Sequence, residues 1–95
     1  MRLVVGVLHL LLYIPEALSL KDKRRVVRHA IDQIRQRFNV SVCEVGDLEA
    51  WQRATLAIAC VARSNAEAHE LLNKVLNFVE GDPRIEVGGV EMETW

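Results

Sequence analysis

Two segments, Arg2–Ile14 and Gln52–Ala62, restrict most strongly what this chain can become. In the first, Val4, Leu8, Leu10, Leu12 and Ile14 fall on one side of an extended backbone, and Leu3, Val5, Val7 and Leu11 on the other. In the second, Leu56, Ile58 and Cys60 oppose Ala57, Ala59 and Val61. A half-exposed strand alternates apolar with polar residues, whereas a run that is apolar at both parities belongs at the centre of a sheet with both faces covered. The twelve residues from Leu3 to Ile14 are also too few to span a bilayer, which takes about 20. Pro15-Glu16-Ala17-Leu18 offers no small-x-small cleavage site, so the run reads as a strand of a cytoplasmic protein and not as a signal-peptide core.

The intervening segments carry helix signals. Ser19-Leu20-Lys21-Asp22 resembles a capping box with Asp in the acidic position. Val27, Ala30, Ile31, Ile34 and Phe38 then form one apolar stripe, and Asn39 is a plausible stop. Ser64-Asn65-Ala66-Glu67 is a full capping box, followed by Ala68, Leu71, Leu72, Val75, Phe78 and Val79 as a second stripe up to about Glu80. Gly81-Asp82-Pro83 ends that helix. Val40–Val45 and Ile85–Thr94 supply two further strands, the last interrupted by Gly88-Gly89, a pair that suggests a bulge. Gly46-Asp47 breaks the chain before a loop at Leu48–Trp51, where Asp47 and Glu49 read as solvated carboxylates.

The order β-α-β-β-α-β in 95 residues predicts one α+β domain over 1–95. It is the ferredoxin-like arrangement, a four-stranded antiparallel sheet with two helices on one face. Strands one and three are central in that topology, in agreement with their apolar character. The face away from the helices would then present Leu3, Val5, Val7, His9, Leu11 and Tyr13 beside Thr55, Ala57, Ala59 and Val61. An apolar patch of that size is unusual on a monomer. A homodimer packed through Val5, Val7, His9, Leu11, Tyr13, Ala57 and Ala59 is the expectation, with coverage by the chain's own loops as the alternative. Tyr13 is the only aromatic on the two central strands, so base stacking on this face, as in RNA-recognition modules of the same topology, is disfavoured.

Charge is unevenly placed. The chain has twelve basic and thirteen acidic residues, a net of −1. Lys21–Arg37 alone holds seven bases and two acids, a net of +5, which leaves five bases and eleven acids, a net of −6, for the rest. Lys21, Arg24, Arg28 and Arg35 share a helical stripe, flanked by Arg25 and His29. Lys21, Lys23 and Arg24 crowd the first turn, where the helix dipole disfavours cations. Such a row suits phosphates, because each contact releases counterions without reading sequence. It equally fits a solvated helix face or a surface for an acidic protein. The candidate nucleic-acid contacts are Lys21, Lys23, Arg24, Arg25, Arg28 and Arg35.

Reactive constellations are not apparent. His9, His29 and His69 fall on three different elements, and no HxH, HExxH or CxxC spacing occurs, so neither a metal nor another cofactor is expected. Gly88-Gly89 follows no strand-to-helix turn and makes no phosphate loop. Cys43 and Cys60 lie in apolar, strand-like runs and read as buried free thiols, with a disulfide as the lesser reading. Trp51-Gln52-Arg53 marks a loop-to-strand junction, read either as a ligand clamp or as a Trp lid over the sheet edge. No catalytic residue and no small-molecule substrate is assigned.

Ser19-Leu20-Lys21-Asp22-Lys23-Arg24-Arg25-Val26-Val27, Arg37-Phe38-Asn39-Val40-Ser41-Val42, Glu44-Val45-Gly46 and Trp51-Gln52-Arg53-Ala54 together resemble the bacterial YlxP-like family, a domain of unknown function. The resemblance covers nearly the whole chain. It implies a ferredoxin-like fold, and because family members are often encoded beside translation-initiation and ribosome-maturation genes it implies RNA or ribosome association. It supplies no catalytic residues, and Ser19, Lys21, Lys23, Arg24, Arg25, Trp51, Gln52 and Arg53 are its candidate contacts. Three functional readings follow: an accessory factor meeting RNA or the ribosome through helix 21–37, a homodimeric protein-interaction module, or a small-molecule site near Trp51 and Arg53.

Overall fold

The computed structural model describes residues 1–95. The elements are β1 (Val4–Tyr13), α1 (Leu20–Arg37), β2 (Ser41–Gly46), β3 (Arg53–Ala62), α2 (Asn65–Glu80) and β4 (Glu86–Thr94). The sheet runs β2-β3-β1-β4, with every neighbouring pair antiparallel. β1 and β2, both antiparallel to β3, are therefore parallel to each other, and so are β3 and β4 about β1. Each parallel pair is joined through a helix and straddles a central strand, the ferredoxin-like interleaving expected from the element order.

β1 and β3 pair over their full length, from Val4 opposite Ala62 to Tyr13 opposite Arg53. That register puts Leu8 beside Ile58 and Leu10 beside Leu56 on the helix-covered face, all four fully buried. Val27, Ala30 and Ile34 of α1 and Ala68, Leu72, Val75 and Val79 of α2 close over them, so one layer of apolar side chains lies between sheet and helices. Gly6 is the tight point of this layer. A Cβ there would stand 3.0 Å from Leu72 Cδ1, 3.1 Å from Ala68 Cβ and 3.3 Å from Cys60 Sγ.

The opposite face differs from the expectation that both sides of the central strands are covered. Val5, Val7, His9 and Leu11 are half-buried, shielded only by their neighbours, while Leu3 is exposed and Val61 is 72% exposed. Both helices are used on the other side, and no loop crosses to this one.

The helix ends depart slightly from the reading of their caps. Ser19 Oγ accepts from the Asp22 N–H at 3.0 Å, and Asp22 Oδ2 accepts from the Leu18 N–H at 3.0 Å, one residue before the usual partner. Ser64 Oγ accepts from the Glu67 N–H, but the Glu67 carboxylate takes the Arg63 Nε at 3.1 Å, so only half of the expected box forms. α1 stops at Arg37, and Phe38 turns to extended backbone, so the stop does not rest on a left-handed Asn39.

Two bulges shape the sheet edges. The register of β4 against β1 shifts between Leu11 and Leu12, leaving Gly88 as the extra residue. A Cβ at Gly88 would run into the Tyr13 ring, so the glycine is what lets that ring lie across β4. β2 carries a second bulge at Val45, between Glu44 and Gly46, which turns the strand end toward the β2–β3 loop.

Cys60 is buried on the helix-covered side and Cys43 is exposed on the open side, which corrects the reading of both thiols as buried. Cys43 stands opposite Ala57 and so shares the open face, whereas its neighbour Val42 is buried, and Cys60 stands opposite Gly6 in the core. Burial pushes the Cys60 thiol up from its ordinary range.

Overpacking a site already at contact distance costs about 1–3 kcal/mol. The variant Gly6→Val is expected to lose stability in that range by chemical denaturation, with the midpoint falling at unchanged slope.

Candidate functional site

The apolar stripe of α1 sets which of its charges reach water. With Val27, Ala30 and Ile34 facing the sheet, Lys21, Arg24, Arg25, Arg28 and Arg35 point outward. Lys21, Arg24, Arg25, Arg28, His29 and Asp32 surround a shallow hollow of about 440 Å³. Arg24 NH2 lies 3.8 Å from Glu49 Oε1, but the two side chains are 50% and 85% exposed. Such pairs contribute about 0–1 kcal/mol and exchange readily for another anion. Lys21, Arg25 and Arg28 have no carboxylate within ion-pair distance. Arg35 is partly engaged, donating from NH2 to the Val42 carbonyl at 3.1 Å. Arg37 sits over the Phe78 ring, its guanidinium carbon 4.7 Å from the ring centre.

Lys23 leaves this set. It is fully buried, and its Nζ donates to Glu44 Oε2 at 3.1 Å, to the Asp47 carbonyl at 3.0 Å and to the Leu48 carbonyl at 3.3 Å. All three ammonium protons are thereby satisfied. The signal was present in the sequence: the stripe Val27, Ala30, Ile34, carried back by four residues, lands on Lys23. A cation there had to find acceptors inside the fold.

Those acceptors organise the β2–β3 turn. Asp47 adopts a left-handed backbone, φ 60°, which Asp tolerates better than most residues. Its carboxylate is half-buried, accepting from Thr55 Oγ1 at 3.3 Å and lying 3.6 Å from Arg53 NH2. Asp47 is therefore a structural group of the turn and not the solvated carboxylate expected, while Glu49 is exposed.

The Trp51-Gln52-Arg53 motif divides by role. Gln52 Nε2 donates to the Pro15 and Ala17 carbonyls, both at 3.0 Å, and the Gln52 carbonyl accepts from the Ile14 N–H at 2.9 Å. Gln52 thus straps the β1–α1 connection. Arg53 engages Asp47, and Trp51 is 58% exposed, so it is no lid over the sheet edge.

The open sheet face gathers the other candidates in register. Ala59, Val7 and Glu93 form one row, and Cys43, Ala57, His9 and Glu91 the next. Thr55, Leu11 and Gly89 follow, then Arg53 and Tyr13. His9 therefore stands between a small alanine and an acid of the edge strand.

One charged residue near the α1 surface escaped the sequence reading. Arg84, from the α2–β4 connection, lines the same hollow as Arg25. Asp82 holds it, with Arg84 Nε 3.1 Å from Oδ1 and NH2 2.8 Å from Oδ2. The side-chain hydrogen bonds from Arg84 keep the Asp82 carboxyl below its usual range. No stripe or motif pointed to Arg84, because a loop brings it to α1.

Removing one partner of a buried, hydrogen-bonded ion pair costs about 3–5 kcal/mol. Lys23→Ala is expected at the lower end of that range, since Glu44 keeps some access to water. Arg28→Ala, on the outer face, is expected within about 0.5 kcal/mol of wild type. Thermal melts of the two variants side by side check the difference.

A family model described as a protein of unknown function, DUF503, matches residues 5–92. The chain is also similar to the uncharacterized protein YlxP of Bacillus subtilis (strain 168), with 38% identity over 71 residues that cover 75% of this chain and 77% of that protein.

Proposed function

The chain belongs to the DUF503 family of proteins of unknown function, and from that premise we propose that it is a small cytoplasmic binding protein, an RNA- or ribosome-associated accessory factor that meets its target through the outer face of α1. The observation that carries this reading is the set of cations on α1 left unpaired: Lys21, Arg25 and Arg28 are exposed, and no carboxylate of the chain answers them. Arg24, whose only partner is a solvated one, is available beside them. The core-facing stripe holds these side chains in one row along a rigid helix, so phosphates along a nucleic-acid backbone meet several of them together. Arg grips phosphate bidentately, which favours this over a loose ionic cloud.

The sheet does not serve the same purpose. Tyr13 is the single aromatic of β1 and β3, it sits at a strand end, and its ring lies against Gly88. Bases have no stacking platform there.

Filter binding with a structured RNA tests the reading. For three phosphate contacts, affinity is expected to fall roughly 20–40-fold between 50 and 200 mM salt. The double reversal Arg25→Glu with Arg28→Glu is expected to abolish binding while leaving the melting curve in place. Absence of binding at low salt removes the proposal.

A second reading concerns the assembly. Val5, Val7 and Leu11 stay half-buried and Val61 72% exposed on a face that no part of the chain covers. We infer a homodimer closed over it, with Ala57 and Ala59 allowing close approach of the two sheets. Ala59→Arg places a charge at the centre of that contact and points it to solvent in the single chain. Sedimentation velocity is expected to show a dimer for wild type and a folded monomer for the variant. A monomeric wild type at micromolar concentration refutes the dimer.

A further inference from the structure

α1 and α2 do not close completely over the sheet. Between them, and capped by the α2–β4 connection, lies a cleft of about 470 Å³. Its size falls within the range of ligand sites, about 300–1,000 Å³. Ala30, Val79 and Ile85 make an apolar floor, and His29, Gln33, Asn77 and Arg84 stand around it. The side-chain hydrogen bonds at this end of the molecule are made by Asp82 and Arg84, and the carboxamides of Gln33 and Asn77 take no part in them. Each carboxamide therefore keeps two donors and an acceptor for a guest.

The surroundings of the cleft say what kind of guest. His29 lines both the cleft and the cationic hollow of Lys21, Arg25 and Arg28. Arg84 lines both the cleft and the smaller hollow at Arg25. Asp82 takes the Nε–NH2 edge of the Arg84 guanidinium with both carboxylate oxygens and so fixes its plane, leaving NH1 without an intramolecular hydrogen-bond partner. Asp82 is the one acid that lines the cleft, and it is already paired with Arg84, while Asp32 lines the cationic hollow and Glu16 and Asp22 line the smaller one. A flat, polar-edged group thus finds an apolar slot with amide partners, and an anion attached to it finds Arg25 and Arg28 next door.

We propose that this cleft receives one unpaired nucleotide of the RNA whose backbone lies across α1, the base entering between the helices beside Gln33 and Asn77 and its phosphate resting on Arg25 and Arg28. This rests on the reading of α1 as an RNA-binding face and adds to it a preference. In a duplex the base edges are paired and the bases stacked, so only a loop, bulge or end can offer a base to the slot. The protein then selects unpaired segments although its phosphate contacts read no sequence.

Fluorescence anisotropy of the full chain with two labelled RNAs of equal length, a hairpin with an open loop and a blunt duplex, tests the inference. One accommodated base is expected to favour the hairpin by about tenfold or more. Gln33→Ala with Asn77→Ala is expected to bring hairpin affinity down to that of the duplex, and to leave duplex affinity unchanged. Asn77→Glu, a single change at an exposed position, is expected to reduce the preference in the same direction and guards against misfolding of the double variant. Arg25→Glu with Arg28→Glu is expected to abolish binding of both RNAs. Equal binding of hairpin and duplex by wild type, or a preference that survives in both cleft variants, overturns the cleft proposal and leaves the α1 reading standing. Failure of either RNA to bind wild type at low salt overturns both.

Discussion

Two helices cover one face of a four-stranded sheet and no more. Nearly everything distinctive about this molecule follows from that limit. The helix-covered face holds Leu8, Leu10, Leu56 and Ile58 at zero exposure and supplies the apolar burial that stabilises the fold. The other face carries an apolar centre that includes Val5, Val7 and Leu11 with nothing over it, edged by Glu91 and Glu93 of β4. The outer surfaces of the helices are free to be charged, and on α1 that area is cationic.

The buried Lys23 shows how the same limit sorts charges. A residue on the inner stripe of α1 is carried into the protein whatever its chemistry. Desolvating an ammonium is expensive, and the fold offsets this with three oxygen acceptors, one from a carboxylate and two from turn carbonyls. The consequence is architectural. The β2–β3 turn, with Asp47 in its left-handed backbone, is held against α1 by a charge, and Gln52 holds the next stretch of chain to the β1–α1 connection. The polar residues most prominent in the family resemblance thus include members that maintain the fold. Shared polar residues in this chain are not by themselves a map of a binding site.

The proposed binding surface is what remains after that sorting. Lys21, Arg25 and Arg28 are free, Arg24 is loosely held, Arg35 and Arg37 are partly engaged with a carbonyl and an aromatic ring, and Arg84 arrives from a distant loop. The adjoining inter-helix cleft gives this surface a depth that a solvated helix face lacks. A face that combines an ordered cationic row with an amide-edged slot is suited to a polyanion that also carries flat, hydrogen-bonding groups.

Much of the fold was legible in the amino-acid order, because it depends on local periodicity. Apolar residues at both parities marked β1 and β3 as central, helical stripes marked α1 and α2, and Gly88-Gly89 marked the bulge of β4. Those signals concern neighbours along the chain, and short-range sterics and the hydrophobic effect act on them directly. Which charges are free was not legible, because it depends on partners far apart in sequence. Lys23 meets Glu44 and the turn beyond it, Gln52 meets Pro15 and Ala17, and Arg84 meets the surface of α1 only once two crossovers have been made. Cys43 and Cys60 sit in similar local sequence, yet one is exposed and the other buried, since their side chains point to opposite faces of the sheet and the helices cover only one of them. The sequence by itself determined the elements, their order and the inner faces; the tertiary structure alone decided which polar groups are used up inside the molecule and which are left for a partner, because electrostatic and hydrogen-bond satisfaction is a property of three-dimensional neighbours and not of spacing.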